Sequence, residues 1–142
     1  LNVGLAISLN ATTDEIREKL MPINRKYKIA DLLEAARDFF DRRGYRVTFE
    51  YVLMAGLTDL DEDALRLAKL TRDTPCKINL IPYNELEEDG LYRRPSRRRL
   101  DQFYRLLRDS GTEFTVRESR GRDIDAACGQ LYHQQEKVRT AL

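Results

Sequence analysis

Strand signals and helix signals alternate along almost the whole chain, and this alternation limits its fold more than any other feature. Four short apolar runs have the length and the β-branched or aromatic content of strands, and they lie at residues 3–9, 47–53, 77–81 and 112–116. Between these runs, apolar residues recur at helical spacing at residues 29–44, 61–72 and 96–111. The order predicts an α/β fold of repeated βα units around a parallel sheet.

Local signals set the expected ends of the helices. Thr12 and Glu15 stand at capping-box spacing and predict a helix start after the first strand, while Pro22 prevents that helix from running far. Ser96 is expected to cap the last helix, and Gly111 to follow its end. The first helix is therefore predicted to be short and the last one long.

The length and composition fit one folding unit. With 142 residues, of which 42% are hydrophobic, the chain can form one core but not two ordinary domains, so residues 1–142 are read as a single unit. It opens without methionine, directly in a strand-like run, and we expect it to be part of a longer protein. Two cysteines are too few for a disulfide framework, and no signal peptide or membrane span is visible. These features predict a reducing, cytoplasmic location and no membrane partner.

The net charge of +1 hides an asymmetry along the chain. Residues 1–90 hold 13 basic and 17 acidic side chains, whereas residues 91–142 hold 12 and 7, so the two parts carry −4 and +5. The densest basic cluster is Arg93, Arg94, Arg97, Arg98 and Arg99. Such a cluster can neutralise phosphates, and it can equally be a solvated helix start.

Polar residues alternate with apolar ones in the predicted strands, and they predict a hollow or wet inner face of the sheet. The polar set includes Thr48, Glu50, Lys77 and Asn79. A fully packed barrel interior would favour branched apolar residues instead. Ligands of βα folds bind at the carboxyl ends of the strands, which here carry Ser8, Asn10 and Asn84. Each of these can also serve as a turn or cap residue.

Cys128 lies in a short segment that is rich in charge and contains Gly121 and Gly129. Neighbouring arginines would favour its thiolate, whereas neighbouring aspartates would oppose it, so charge alone does not decide its reactivity. Free cysteines are most often small buried hydrophobes, and that reading stays open from the residues alone.

Five segments resemble the C-terminal part of the RlmN-type dual-specificity RNA methyltransferases, which are radical S-adenosylmethionine (SAM) enzymes. They are AISLNA (6–11), MPIN (21–24), FEYV (49–52), TPCKINLIPYN (74–84) and DIDAACGQL (123–131). The resemblance extends from Leu5 to about Leu131. It implies the later strands of a partial (βα)6 barrel that is open at its side.

The resemblance also implies which residues bind SAM. Ser8, Leu9 and Asn10 match a segment of that family that contacts SAM, and Asn84 matches an asparagine that does so from a neighbouring strand end. Asn10 stands where many members of the family have histidine. A contact through the backbone at this position is compatible with the change.

Cys128 matches the cysteine that is methylated during the family's reaction. Through that S-methylcysteine intermediate, the family methylates C2 of adenine in 23S rRNA and tRNA, using radical chemistry because C2 is electrophilic. The glycines beside Cys128 are expected to give it the mobility to reach both cofactor and base. Arg93 to Arg99, with Arg117, Arg120 and Arg122, are candidates for RNA phosphate contacts.

The family also requires a [4Fe-4S] cluster held by three cysteines of one loop, together with an electron donor. Cys76 and Cys128 cannot form that loop, and Cys76 is read as structural. The chain alone is therefore expected to be inactive, with no metal site of its own. Two alternatives remain: the related enzymes that methylate C8 of the same rRNA adenine, and a non-catalytic βα module that binds RNA. The sequence does not determine the oligomeric state.

Overall fold

The chain forms a four-stranded parallel sheet in which the strands lie side by side in sequence order. The computed structural model describes residues 4–85 and 90–118. Its strands are β1 (Ala6–Ser8), β2 (Val47–Leu53), β3 (Cys76–Pro82) and β4 (Phe114–Val116). The order across the sheet is β1-β2-β3-β4, and every neighbouring pair is parallel. The predicted α/β fold of repeated βα units is confirmed.

Helices connect the strands where the sequence predicted them. They are α1 (Asp14–Leu20), α2 (Ile29–Arg43), α3 (Asp61–Thr71) and α4 (Arg97–Asp109), with a short 3-10 turn at Pro22–Arg25 after α1. Ser96 caps α4 as predicted, because its hydroxyl accepts a hydrogen bond from the backbone N–H of Arg99 at 3.2 Å. Within the described ranges, no helix has the length and apolar character that crossing a membrane requires.

The predicted capping box at Thr12 was wrong by one residue. Thr13 is the N-cap of α1, and its hydroxyl accepts from the backbone N–H of Ile16 at 3.4 Å. Thr12 is buried and donates to Oδ1 of Asp63, on α3, at 2.6 Å. The Thr12 hydroxyl thus bonds to Asp63, 51 positions away, and does not cap α1 as the local pattern predicted.

The core lies on one face of the sheet, beneath α2, α3 and α4. Phe49 and Tyr51 of β2 are fully buried there, and the ring of Tyr51 stacks on Phe103 of α4 with centroids 6.0 Å apart. The Tyr51 hydroxyl donates to the backbone oxygen of Thr58 at 2.7 Å, which satisfies its polar end inside the core. Burial raises the pKa of Tyr51 well above its usual value.

Leu5 departs from the predicted pattern of β1. It was expected to pack beneath the helices with Ile7 and Leu9, yet it is 39% exposed, because β1 begins only at Ala6. Ile7 and Leu9 do join the core. Val3, the remaining member of that predicted set, lies outside the described residues.

The opposite face of the sheet is polar and open in the described part of the chain. Thr48 and Glu50 of β2 are half-buried on it, while Lys77 of β3 and Thr115 of β4 are exposed. The burial of β2 alternates accordingly over its first residues, with Val47, Phe49 and Tyr51 inside the core. The predicted polar character of this face is therefore confirmed for the described residues of the four strands.

Candidate functional site

A row of polar side chains crosses the open face, level with the end of β1 and with the middle of β2 and β3. Ser8, Glu50 and Asn79 are partners in register on β1, β2 and β3, and Thr115 continues the row on β4. The Thr115 hydroxyl donates to Oδ1 of Asn79 at 3.2 Å. Such a row offers hydroxyl, carboxylate and amide groups to a polar ligand. Thr115 had no predicted role, because the alternation of polar and apolar residues was interpreted only in the first three predicted strands.

The turn after β1 fixes Leu9 and Asn10. Asn10 has a left-handed backbone with φ of +59°, and its Oδ1 accepts from the backbone N–H of Val52 at 3.1 Å. Its Nδ2 donates to the sulfur of Met21 at 3.6 Å, so the buried side chain is fully used by the fold. Leu9 is 0% exposed. Of the predicted trio, only Ser8 points a half-buried polar side chain at the open face. Asn10 can offer a ligand its backbone carbonyl, but the backbone N–H and carbonyl of Leu9 are bonded to Glu50, Ala11 and Arg17.

Arg17 of α1 stabilises the same turn through hydrogen bonds to its backbone. Its guanidinium donates to the backbone oxygens of Leu9 at 3.0 Å and Ser8 at 3.0 Å, and to Oδ1 of Asn24 at 2.9 Å. The residue is 3% exposed, and burial lowers its pKa to about 10 although Asp14 opposes the shift. Arg17 therefore stays charged at neutral pH. Sequence reasoning missed it, because a single arginine in an amphipathic helix gives no sign of burial.

Asn84 lies beyond the end of β3, at the same edge of the sheet as Ser8. Asn84 was expected at the end of a strand next to the one that carries Ser8. That detail was wrong, because Asn84 follows β3, and β2 lies between β1 and β3. Its Oδ1 accepts from Nη1 of Arg94 at 2.8 Å, and Nη2 of Arg94 donates to both carboxylate oxygens of Glu118, at 2.9 and 3.2 Å. Arg94 thus bridges the loops that follow β3 and β4.

The basic cluster is largely paired. Arg93 contacts Glu85 at 3.5 Å, Arg97 contacts Asp101 at 3.3 Å, and Arg99 contacts Asp61 at 2.8 Å in addition to the backbone oxygen of Asp59. Among the described residues, only Arg98 of the five lacks an ion-pair partner. Most of these arginines therefore order the loop and the start of α4, and Arg98 is the cation best placed to meet a phosphate.

Only one of the two cysteines, Cys76, lies among the described residues. Cys128 lies outside the described residues, so its predicted role remains a prediction, and the same holds for Arg120 and Arg122. Cys76 begins β3 at the amino edge of the sheet and lines a cavity of about 170 Å³ there. Burial raises the pKa of its thiol to about 11, although the positive charge of Arg46 works against the shift. Cys76 is therefore a neutral thiol at physiological pH, remote from the carboxyl edge.

The described residues contain no group of three or more histidine, cysteine, aspartate or glutamate side chains that could hold a metal ion. The whole sequence has two cysteines, fewer than the three thiolates that a cluster-binding loop would supply. The residues of this chain therefore do not fit a [4Fe-4S] cluster. Ser8 and Asn84 instead offer a hydroxyl and an amide, which are groups that suit an organic cofactor.

Curated relatives match nearly all of this chain. It is 52% identical over 130 residues to a protein of Pelobacter propionicus named dual-specificity RNA methyltransferase RlmN, which covers 92% of the chain. It is 56% identical over 130 residues to a protein of the same name from Anaeromyxobacter sp. strain Fw109-5. The chain spans 37% and 34% of the lengths of these two relatives. No family model matches it.

A solved structure has the same fold. The crystal structure of a radical SAM methyltransferase from Sphaerobacter thermophilus superposes on this chain with a TM-score of 0.82 and 47% sequence identity. The match covers 92% of this chain and 38% of the other. The sheet order and the polar carboxyl edge thus occur in a chain whose relatives are radical SAM methyltransferases.

Proposed function

We propose that this chain, whose sequence is of the RlmN type of radical SAM methyltransferase, forms the part of such an enzyme that binds SAM and carries the methyl group. The proposed reaction is methylation of C2 of adenine in 23S rRNA and tRNA. The observation that carries the proposal is the 52% identity, over 92% of the chain, to a dual-specificity RNA methyltransferase. The chain spans 37% of that relative, so the activity belongs to the complete enzyme.

The carboxyl edge fits the proposed cofactor. SAM supplies an activated methyl group and, as an amino acid joined to a nucleoside, presents many hydrogen-bonding groups. Ser8 offers it a half-buried hydroxyl, and Asn84 offers an amide from the same edge of the sheet. Asn10 would contribute its backbone carbonyl, because its side chain is buried, whereas the backbone groups of Leu9 are already bonded to Glu50, Ala11 and Arg17. Arg17 fixes the carbonyls of this turn, so the backbone is ordered before any ligand arrives.

Cys128 is the proposed methyl carrier. A thiolate is a strong nucleophile, and a cysteine that accepts a methyl group must be ionised to do so. Cys76 does not suit this role, because burial keeps its thiol protonated. The chain's other cysteine is therefore the one assigned to methyl transfer.

The cluster and the electron donor must come from elsewhere in the complete system. The two cysteines of this chain do not provide the ligands of a [4Fe-4S] cluster, and the chain alone is expected to be inactive. Arg98 is proposed to contact RNA phosphates beside the site, since it is the member of the basic cluster without an acidic partner among the described residues.

A matched pair of cysteine variants tests the assignment in the full-length, cluster-loaded protein. Cys128→Ala is expected to abolish methylation of RNA, whereas Cys76→Ala is expected to retain it. The iron content and the SAM affinity of both variants should match those of the parent. Normal turnover by Cys128→Ala would refute the methyl-carrier role.

The same experiment separates the alternatives. A product methylated at C8 of adenine would move the chain to the related C8 enzymes. RNA binding without any methylation by the complete, cluster-loaded protein would favour a non-catalytic βα module.

A further inference from the structure

Arg94 connects the loops that follow two strands at the carboxyl edge. It lies between β3 and α4, and its side chain is 32% exposed. Nη1 donates to Oδ1 of Asn84 at 2.8 Å, and Nη2 donates to the two carboxylate oxygens of Glu118 at 2.9 and 3.2 Å. One planar guanidinium therefore holds a residue that follows β3 and a residue that follows β4.

The backbone around Arg94 is anchored as well. Its own N–H donates to Oε1 of Glu85 at 3.1 Å, and the carbonyl of Arg93 accepts from the backbone N–H of Ala55, beyond β2, at 2.8 Å. These contacts fix the guanidinium relative to the ends of β2, β3 and β4. The orientation of the Asn84 amide is fixed in turn, because its oxygen accepts a hydrogen bond from Arg94.

The ion pair of Arg94 with Glu118 does little for the stability of the fold. The Arg94–Glu118 pair is partly exposed, with 56% of the Glu118 side chain accessible, and ion pairs of this kind contribute little to folding. The contact with Asn84 instead orients a side chain that follows the carboxyl end of β3. A rigid guanidinium suits this task, since its donors diverge in one plane, whereas an ammonium group is a rotating point charge.

We propose that Arg94 is a positioning residue for SAM binding: it orients the Asn84 amide toward the cofactor and is itself held by Glu118. This inference rests on the proposed function, which assigns Asn84 to SAM. Arg94 then acts through Asn84, and Glu118 acts through Arg94.

A double-mutant cycle of Arg94→Ala and Asn84→Ala in the full-length, cluster-loaded protein tests this role. The affinity of each variant for SAM is measured by equilibrium dialysis. Arg94→Ala is expected to weaken SAM binding about tenfold, since hydrogen bonds from charged groups have this magnitude. Arg94→Lys should recover only part of the loss, and Glu118→Gln should weaken binding about threefold. Arg46→Ala is the matched control, because its side chain pairs with Glu113 at the amino edge of the sheet and does not contact Asn84, so its SAM affinity should be unchanged.

The cycle separates this inference from the proposed function. If Arg94 acts through Asn84, the double variant binds SAM no more weakly than Asn84→Ala alone. Two results would overturn the role of Arg94 and leave Asn84 as a SAM ligand, provided that Asn84→Ala binds SAM more weakly than the parent. One is an unchanged SAM affinity in Arg94→Ala, and the other is a double variant whose loss of affinity is the sum of the two single losses. Unchanged affinity in Asn84→Ala would overturn both assignments. Equal midpoints of thermal unfolding would exclude a general loss of structure.

Discussion

The side chain of Asn10 accepts a hydrogen bond of 3.1 Å from the backbone N–H of Val52, across 42 positions of the sequence. This bond joins the turn after β1 to the strand beside it, and it holds Asn10 in a left-handed conformation with φ of +59°. The segment proposed to meet SAM is therefore shaped by contacts within the protein. Its geometry should persist in the absence of cofactor.

Asn10→Ala and Asn10→Gly separate the two roles of this residue, which are to accept the hydrogen bond from Val52 and to adopt a positive φ. Either change leaves the buried N–H of Val52 without a partner, at a cost of about 1–3 kcal/mol of stability. The alanine variant should lose about 1 kcal/mol more than the glycine variant, because only glycine adopts positive φ without strain. Hydrogen exchange at the Val52 amide should accelerate in both variants, and thermal unfolding should rank them. Equal stability of the two variants would contradict the claim of backbone strain.

Arg17 should be essential for the stability of the β1 turn. Arg17→Met keeps an unbranched apolar stem but removes the donors to the carbonyls of Ser8 and Leu9, so the expected loss in free energy of unfolding is about 2–4 kcal/mol. Arg25→Ala is the control, because that side chain is 76% exposed and pairs with Glu18 at the surface. Its cost should stay below about 1 kcal/mol. Denaturant unfolding followed by circular dichroism measures both, and similar losses in the two variants would argue against the buried network.

Cys76 should be nearly inert at neutral pH. Burial raises the pKa of its thiol to about 11, and the thiolate is the reactive form, so the raised pKa reduces the reactive fraction below that pH. In a Cys128→Ala background, alkylation of Cys76 by iodoacetamide should accelerate about tenfold per pH unit between pH 7 and 10. Mass spectrometry of the intact protein gives the rate. A plateau near pH 8 would show that the thiol is not buried in this way.

Arg98 should contribute to RNA affinity through charge alone. Loss of one phosphate contact reduces the slope of log affinity against log salt by about 0.7 to 0.9, so Arg98→Ala should show a shallower slope. Arg72→Ala removes the same charge at the exposed C-terminal end of α3, by the amino edge of the sheet, and should leave the slope unchanged. Titrations of the full-length protein with tRNA at several salt concentrations provide the comparison. Equal slopes for both variants would mean that Arg98 does not contact RNA.

The fold was predictable because its signals are local. The apolar spacing of α4 correctly gave its buried face of Leu100, Phe103, Tyr104 and Leu107, and Ser96 gave its start. Alternation in β2 correctly separated Phe49 and Tyr51 from Thr48 and Glu50. Periodicity of this kind depends on neighbours within a few positions, so the sequence alone suffices to show it.

The site was only partly predictable, since its supporting contacts join distant positions. Thr12 was assigned to a capping box, but Asp63 takes its hydroxyl from another helix. Arg17 gave no local signal, and Arg94 was interpreted only as a candidate for phosphate contact within the basic cluster, because arginines on helices and in loops are usually solvated. Asn10 resembled a ligand, yet its side chain is engaged with Val52 and Met21. The position of Cys128 relative to Ser8 and Asn84 remains a prediction.

The identity of the modified nucleoside tests the central claim most directly. The full-length, cluster-loaded protein would be incubated anaerobically with SAM, a reductant and either a 23S rRNA fragment or tRNA, and the RNA then digested to nucleosides. Chromatography and mass spectrometry against standards distinguish 2-methyladenosine from 8-methyladenosine. The account predicts 2-methyladenosine, formed by the parent and not by Cys128→Ala. Unmodified adenosine, or 8-methyladenosine as the product, would contradict it.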